Sequence, residues 1–336
     1  MPTSVPFTPT ASHAVDLLLT ETAAGIPTSQ QLIAPLIAPV NLDSRDERSG
    51  KYPILGHEAL QSVAKPVGDF DSFPKMSRSF ALDEYSCVNQ GISEEIPLSV
   101  RKAASKGRIQ AHLATDRALA RCKQVVELGW EIEVASLLVT SANYASGNYE
   151  NLDTVANRNF DDTSGPGPLR IVKEFIDGSE ALSNQRVDTL VVAPDTWRYL
   201  STMTNMFGGG SLAVRLTLQD AADIFEVDRV LVARTLKASA GQTAAAGYGL
   251  SRVWESNSMI GLVTKDTGEG APSVWTFLYD HMEGYQNGMG AFSWDTQDPW
   301  VEHVAFAMSR DVKLGGVNLS GALLNAFYLQ NCLAAI

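Results

Sequence analysis

Leu119, Cys122, Val126, Trp130, Val134 and Leu138 follow one another at spacings of three, four, four, four and four. Such a run lays one apolar stripe along one side of an α-helix. Arg117, Arg121, Lys123, Glu127 and Glu131 fall largely off that stripe. The helix is expected within Ser99–Asn143. If continuous over Arg108–Thr140, it is a rod about 50 Å long at 1.5 Å per residue. A compact enzyme of 336 residues has little use for such a rod. A flat or elongated protein does.

The chain ahead of the rod does not read as a domain. Residues 1–45 are rich in Thr, Ser and Pro, with short apolar segments at Val15–Leu19 and Leu32–Val40. They cannot build a core of their own, so they read either as a loose tail or as an arm that orders on a neighbouring surface. Residues 46–97 are polar and broken by Pro53, Pro66, Gly68, Pro74 and Gly91. Only Phe80–Gln90 alternates like a strand, through Leu82, Tyr85 and Val88. The whole is expected to be a long two-stranded excursion, of a length normally tied to function.

Beyond the rod, residues 144–170 form a polar hinge containing Gly165-Pro166-Gly167-Pro168. Leu169–Ile176 reopens as a short helical or extended segment. Arg186–Ala193 reads as a strand closed by Pro194, with a helix from about Asp195 carrying Trp197 and Leu200. Gly208-Gly209-Gly210 breaks the chain. Thr217, three residues before Asp220, sets up a capping box for a helix running to Phe225. Further strands are expected at Val230–Ala233, Met259–Thr264, Val274–Leu278 and Val301–Met308, and Ser239–Gly249 as a flexible surface loop. This order suggests an α/β module over residues 185–295, with the last strand returning to the rod. Leu314–Ile336 carries no charge, but Gly315, Gly316, Asn318, Ser320, Gly321, Asn325, Gln330 and Asn331 interrupt it. A buried final strand and helix is a better reading than a membrane anchor. The first 44 residues hold no Lys or Arg, so the positive region of a signal peptide is missing.

Charge and chemistry exclude function classes. The chain has 26 Lys+Arg against 38 Asp+Glu, a net charge of −12, and so no cation excess with which to grip phosphates. Cys87, Cys122 and Cys332 are odd in number and far apart, which suggests a reducing compartment and no disulfide framework. The glycines at 208–210 and 241–249 match neither a P-loop nor a dinucleotide fingerprint, and there is no nucleophile elbow. His13, His57, His112, His281 and His303 lack metal-ligand spacing. Adjacent acidic side chains, Glu94-Glu95 and Asp161-Asp162, diverge and read as solvated. Asn318-Leu319-Ser320 matches the glycosylation pattern without a secretory context. No catalytic, cofactor-binding or metal-binding constellation is expected.

Three segments in order carry a resemblance. They are Tyr85–Pro97 (Y-S-C-V-N-Q-G-I-S-E-E-I-P), Thr189–Leu200 (T-L-V-V-A-P-D-T-W-R-Y-L) and Leu216–Arg234 (L-T-L-Q-D-A-A-D-I-F-E-V-D-R-V-L-V-A-R). Val253-Trp254, Ile260–Val263 and Ala271–Phe277 follow at similar spacing. Together, across residues 80–315, they resemble the major capsid protein of tailed double-stranded-DNA bacteriophages, the Hong Kong-type fold. Ala221 or Ala222 stands where Leu is common in that family, and the first 50 residues match no part of it.

The resemblance implies an α+β chain with an N-terminal arm (1–45), an extended loop (46–97), a peripheral domain with a spine helix (98–184), an α/β axial domain (185–295) and a C-terminal return (296–336). It implies a structural protein rather than an enzyme, without cofactors. Copies would form pentamers and hexamers that close an icosahedral shell in the virion, after assembly in the host cytoplasm. Scaffold, portal or decoration proteins would be partners. Packaged DNA would meet the shell only through weak non-specific contact, because an acidic inner surface lets it slide; no membrane is involved. Loop Ser239–Gly249, with Tyr248, would meet its copies at the five- and six-fold axes. Leu17, Leu18, Leu19, Leu32, Ile33, Phe70, Phe73 and Phe80 either anchor intersubunit contacts or cover their own core. Some relatives cross-link a loop Lys to a neighbour's Asn; Lys51, Lys65 and Lys75 are loop lysines here, and no motif selects one. Competing readings are an encapsulin-type compartment shell of the same fold, a cytosolic α/β enzyme and a head decoration protein.

Overall fold

The computed structural model describes residues 16–25, 32–54, 81–97, 99, 111–156, 158–162, 164–202, 216–238, 249–266, 271–281, 284–297 and 300–334. Two short helices come first, α1 (Leu17–Gly25) and α2 (Ala34–Ile37), then strands β1 (Val40–Asn41), β2 (Ser49–Ile54), β3 (Ala81–Ser86) and β4 (Val88–Pro97). The rod is α3 (Ala111–Leu138), about 42 Å long at the helical rise. After it come β5 (Tyr149–Asn151), α4 (Pro168–Ser183), β6 (Thr189–Val192), α5 (Pro194–Thr202), α6 (Leu218–Phe225) and β7 (Arg229–Val232). The remainder is β8 (Leu236–Ala238), β9 (Leu250–Arg252), β10 (Ser258–Leu262), β11 (Val274–Leu278), β12 (Met289–Gln297), β13 (Trp300–Leu314) and β14 (Phe327–Gln330).

The apolar stripe of α3 is buried along its whole length, and it rests on a first sheet organised by β13. This strand is long enough to take several partners. β4 pairs with it antiparallel from Val88–Arg310 to Pro97–Val301, β12 pairs over Trp300–Met308, and β11 takes over at Arg310–Leu314. β1 then adds to β11 in parallel. Ile96, Ala291, Val304, Phe306 and Met308 form the face under α3. The Trp130 indole N–H crosses that interface to the Thr276 hydroxyl at 3.2 Å.

The second sheet runs β5-β14-β10-β6-β7. Its central strands β6 and β10 bury both faces, so they do not alternate between apolar and polar residues. Leu190, Val192, Met259, Phe327 and Leu329 pack with Phe175 of α4 and Phe225 of α6. Val191, Ile260 and Tyr328 join the core beneath α3, which welds the two sheets together. Gly261 lies directly opposite Phe327; a Cβ there would sit 2.1 Å from the ring. The capping box is present, with Asp220 N–H donating to Thr217 Oγ1 at 3.2 Å and Thr217 N–H to Asp220 Oδ2 at 2.9 Å. Part of the expected hinge proves to be a helix start. Gly167 takes φ +79° and Pro168 opens α4, where a proline loses no hydrogen bond.

Three expectations are corrected. The segment read as Leu169–Ile176 is the full four-turn helix α4. The module expected over 185–295 loses Val274–Leu278 and β12 to the first sheet, and it gains β5 and β14 from outside its bounds. An apolar strand does not carry the identity of its partner in its own residues, and β13 offered the longer free ladder. Finally, the expected C-terminal strand is present as β14, but no helix follows it among the described residues.

Candidate functional site

Lys123, Glu127 and Glu131 recur every four residues and form a second stripe on α3 beside the apolar one. They are off the apolar stripe, as the sequence indicated, yet all three are buried. What covers them is the N-terminal segment. Lys123 Nζ donates to the Ala23 carbonyl at 2.8 Å, satisfying an end of α1 that has no intrahelical partner, and it lies 3.7 Å from Glu127. Glu131 is 0% exposed. Its Oε2 accepts the N–H groups of Ile33 at 2.9 Å and Ala34 at 2.6 Å, the opening of α2. Its Oε1 accepts the Trp254 indole N–H at 2.6 Å and the Thr235 hydroxyl at 3.2 Å. Burial pushes this carboxyl above the usual range, and the four donors pull it part of the way back.

Further bonds stitch the same segment down. Asp16 N–H donates to Ala291 O at 3.0 Å, Ala291 N–H to Thr20 Oγ1 at 3.0 Å, and Thr276 N–H to Pro39 O at 3.0 Å. Arg229 Nη2 holds the Leu36 carbonyl at 2.6 Å. Ala23, Ile33, Ala34, Ile37 and Ala38 belong to the central core. Over 16–25 and 32–41, the segment expected as a loose tail or a neighbour-seeking arm therefore packs on its own chain, with Thr20, Ala23, Ile33, Ala34, Ile37 and Ala38 buried.

A second cluster joins α3, β4 and β13. The Arg310 guanidinium, on a residue only 2% exposed, sends Nε to Glu133 Oε2 at 2.9 Å and Nη2 to Gln90 Oε1 at 2.7 Å. Nη2 also reaches Glu133 Oε1 at 3.2 Å, and Gln90 Nε2 donates to that same oxygen at 2.6 Å. Gly129 makes room on the helix, since a Cβ there would lie 3.1 Å from Nη2. More than two turns toward the N-terminus from Gly129, Arg121 grips Glu94, with Nε to Oε2 at 2.8 Å. One member of the acidic pair thus serves an ion pair.

Two ribbons leave this frame. β2 pairs with β3, and Tyr85 stacks on Phe277 at 4.3 Å. Tyr52 OH donates to Asp83 Oδ2 at 2.8 Å, and burial with Asp83 nearby pushes that hydroxyl's pKa up. Tyr85 turns inward while Leu82 and Val88 stay 58% and 54% exposed. The second ribbon pairs β8 with β9 and exposes Leu236 and Leu250. These four apolar side chains were missed as contact candidates. The alternation of Leu82, Tyr85 and Val88 was the available signal for the first two.

Of the expected contact residues, Leu17 and Leu18 lie in α1. Of the two alternatives for Leu32 and Ile33, the structure shows the second: both are buried by their own chain, Ile33 in the core under α3, where its N–H and that of Ala34 bond Glu131. Phe70, Phe73, Phe80 and Tyr248 lie outside the described residues, as do Lys65 and Lys75. Lys51 pairs with Glu84 at 3.1 Å. Among the described residues no cluster of His, Cys, Asp or Glu is placed to hold a metal ion, and no helix is long and apolar enough to cross a membrane.

No family model and no curated protein matches the chain. Solved structures do. A phage-related protein from Bordetella bronchiseptica aligns over 95% of this chain and 98% of its own, with TM-score 0.69 at 15% identity. A protein described as the capsid protein of an Escherichia coli prophage aligns over 95% and 99%, with TM-score 0.52 at 9% identity. The chain has the Hong Kong-type phage capsid fold. A virus-like particle from Pyrococcus furiosus shares it, with TM-score 0.53 at 8% identity over 93% of this chain and 96% of that one. At such identities the likeness is one of fold, carried by packing geometry and not by matching residues. That accounts for a whole-chain structural match where no family model finds one.

Proposed function

We propose that the chain is the major capsid protein of a tailed phage, a structural protein whose copies form pentamers and hexamers of an icosahedral shell around double-stranded DNA. The observation that carries this reading is the capsid fold over 95% of the chain. Flat subunits of this kind associate through heterologous contacts that close into rings. In this reading α3 and the first sheet make the peripheral domain, and the second sheet with α4 to α6 makes the axial domain. The β2–β3 ribbon is the base of the extended loop, and the β8–β9 ribbon leads to the tip loop. Leu82, Val88, Leu236 and Leu250 then supply apolar contact area to neighbours. The net charge of −12 keeps packaged DNA from adhering to the shell. Scaffold, portal and decoration proteins are the expected partners, the virion the expected location, and the host cytoplasm the place of assembly.

Size exclusion of the purified chain followed by negative-stain microscopy tests the proposal. Hollow shells or pentamer- and hexamer-sized rings support it. A monomer that stays monomeric at high concentration and high salt, with and without a co-expressed scaffold, refutes it. One second reading is a shell of the same fold in another role, an encapsulin-type compartment; the Pyrococcus furiosus structure shows the fold in a virus-like particle. Nuclease-protected double-stranded DNA in particles from producing cells favours the virion, and packaged protein cargo the compartment.

A further inference from the structure

Glu131 is a buried ionisable group that joins several distant parts of the chain. Its carboxyl ties α3 to the start of α2, to Thr235 after β7 and to Trp254 after β9. Three of its donors are fixed, the two backbone N–H groups and the indole. The fourth can turn round, because a threonine hydroxyl donates to a carboxylate and accepts from a neutral carboxyl. The site is built to hold either form.

No cation among the described residues pairs with Glu131. On α3, Lys123 is committed to Ala23 and Glu127, and Glu133 to Arg310 and Gln90. Residues Leu32–Ile37, which cover it, contain no ionisable side chain. Arg234, beside Thr235, is exposed. Glu255, beside Trp254, accepts from Tyr328 and Gln330. A carboxylate so placed has lost its water without gaining a counter-charge, which favours the neutral form.

We propose that Glu131 is a proton-linked fastening for the N-terminal segment. Neutral, it holds the start of α2 against α3 and the Thr235–Trp254 junction; ionised, it leaves an unpaired charge there and the hold weakens. The sign follows from linkage. The docked state keeps the proton more tightly than an opened state in which Glu131 meets water. The hold is therefore complete below the usual carboxylate range, and it declines as pH rises from there through the raised value. The fastening is a property of one chain, whatever that chain assembles into.

Hydrogen exchange of the unassembled full chain between pH 5 and 8, corrected for intrinsic rates, reads the Ile33 and Ala34 amides directly. In the wild type their protection should fall with rising pH, by at most about tenfold per unit, while that of Thr189–Val192 stays level. Glu131→Gln should remove the pH dependence. Trp254→Phe deletes a donor that favours the charged form, so it should move the decline to higher pH, and it carries the test if Glu131→Gln does not fold. Protection that is level or rises with pH in the wild type overturns the proposal. So does a decline that survives Glu131→Gln or moves to lower pH in Trp254→Phe.

Discussion

Replacing Arg310 with Ala should cost the unassembled chain roughly 3 kcal/mol. The guanidinium makes two bonds to Glu133 and one to Gln90 from a buried position. Breaking such a buried pair from one side costs about 3–5 kcal/mol. The lower end applies, because the Glu133 side chain is 35% exposed and can be rehydrated. At about 2.1 cal/mol/K per residue, a chain of 336 residues has an unfolding entropy near 0.7 kcal/mol/K, so the melting temperature should fall by about 4 °C. Arg310→Lys offers a point charge instead of a fork and should lose roughly half as much. Gly129 gives the sharper test. Ala in mid-helix normally stabilises by about 1 kcal/mol over Gly. Here its Cβ would press to 3.1 Å of Nη2, so Gly129→Ala should lower the melting temperature in the wild type and raise it in Arg310→Ala. Scanning calorimetry on the four variants checks both statements. A shift below about 1 °C for Arg310→Ala, or the same sign for Gly129→Ala in both backgrounds, would refute the view that this guanidinium clamps helix to sheet.

Gly261→Ala should destabilise by at least about 1–3 kcal/mol, since its Cβ meets Phe327 at 2.1 Å; combining it with Phe327→Leu should recover part of the loss in a thermal melt. Cys87, Cys122 and Cys332 are free and buried, and burial pushes the first two thiols to about 11 and the third higher still. At pH 8 only about a thousandth of such a thiol is thiolate. Ellman's reagent should leave the native chain unmodified on a timescale that titrates all three after denaturation, and prompt labelling of the native chain would contradict the packing.

The periodic elements were legible because periodicity is local. The stripe from Leu119 to Leu138 announced α3, Thr217 and Asp220 announced the start of α6, and Arg186–Ala193 closed by Pro194 announced the strand that is β6. The ordered run of short segments also pointed to the capsid fold. The sequence placed Lys123, Glu127 and Glu131 off the apolar stripe but gave no sign of their burial, because nothing local says that α1 and α2 will come back to cover that side of α3. Over 16–25 and 32–41 the arm-like composition concealed this packing for the same reason: few apolar residues suffice when a neighbouring helix supplies buried donors and acceptors.

What the sequence determined by itself was the set of elements, the long helix and the absence of a recognisable catalytic pattern, all properties of neighbours along the chain. Only the tertiary structure decided that Val274–Leu278 pairs with β13, that Phe327–Gln330 crosses to the second sheet, and that Arg310 and Glu131 are buried within hydrogen-bonded networks. Strand partners and buried charges depend on residues far apart in sequence. Their energies exist only once the chain has closed those distances.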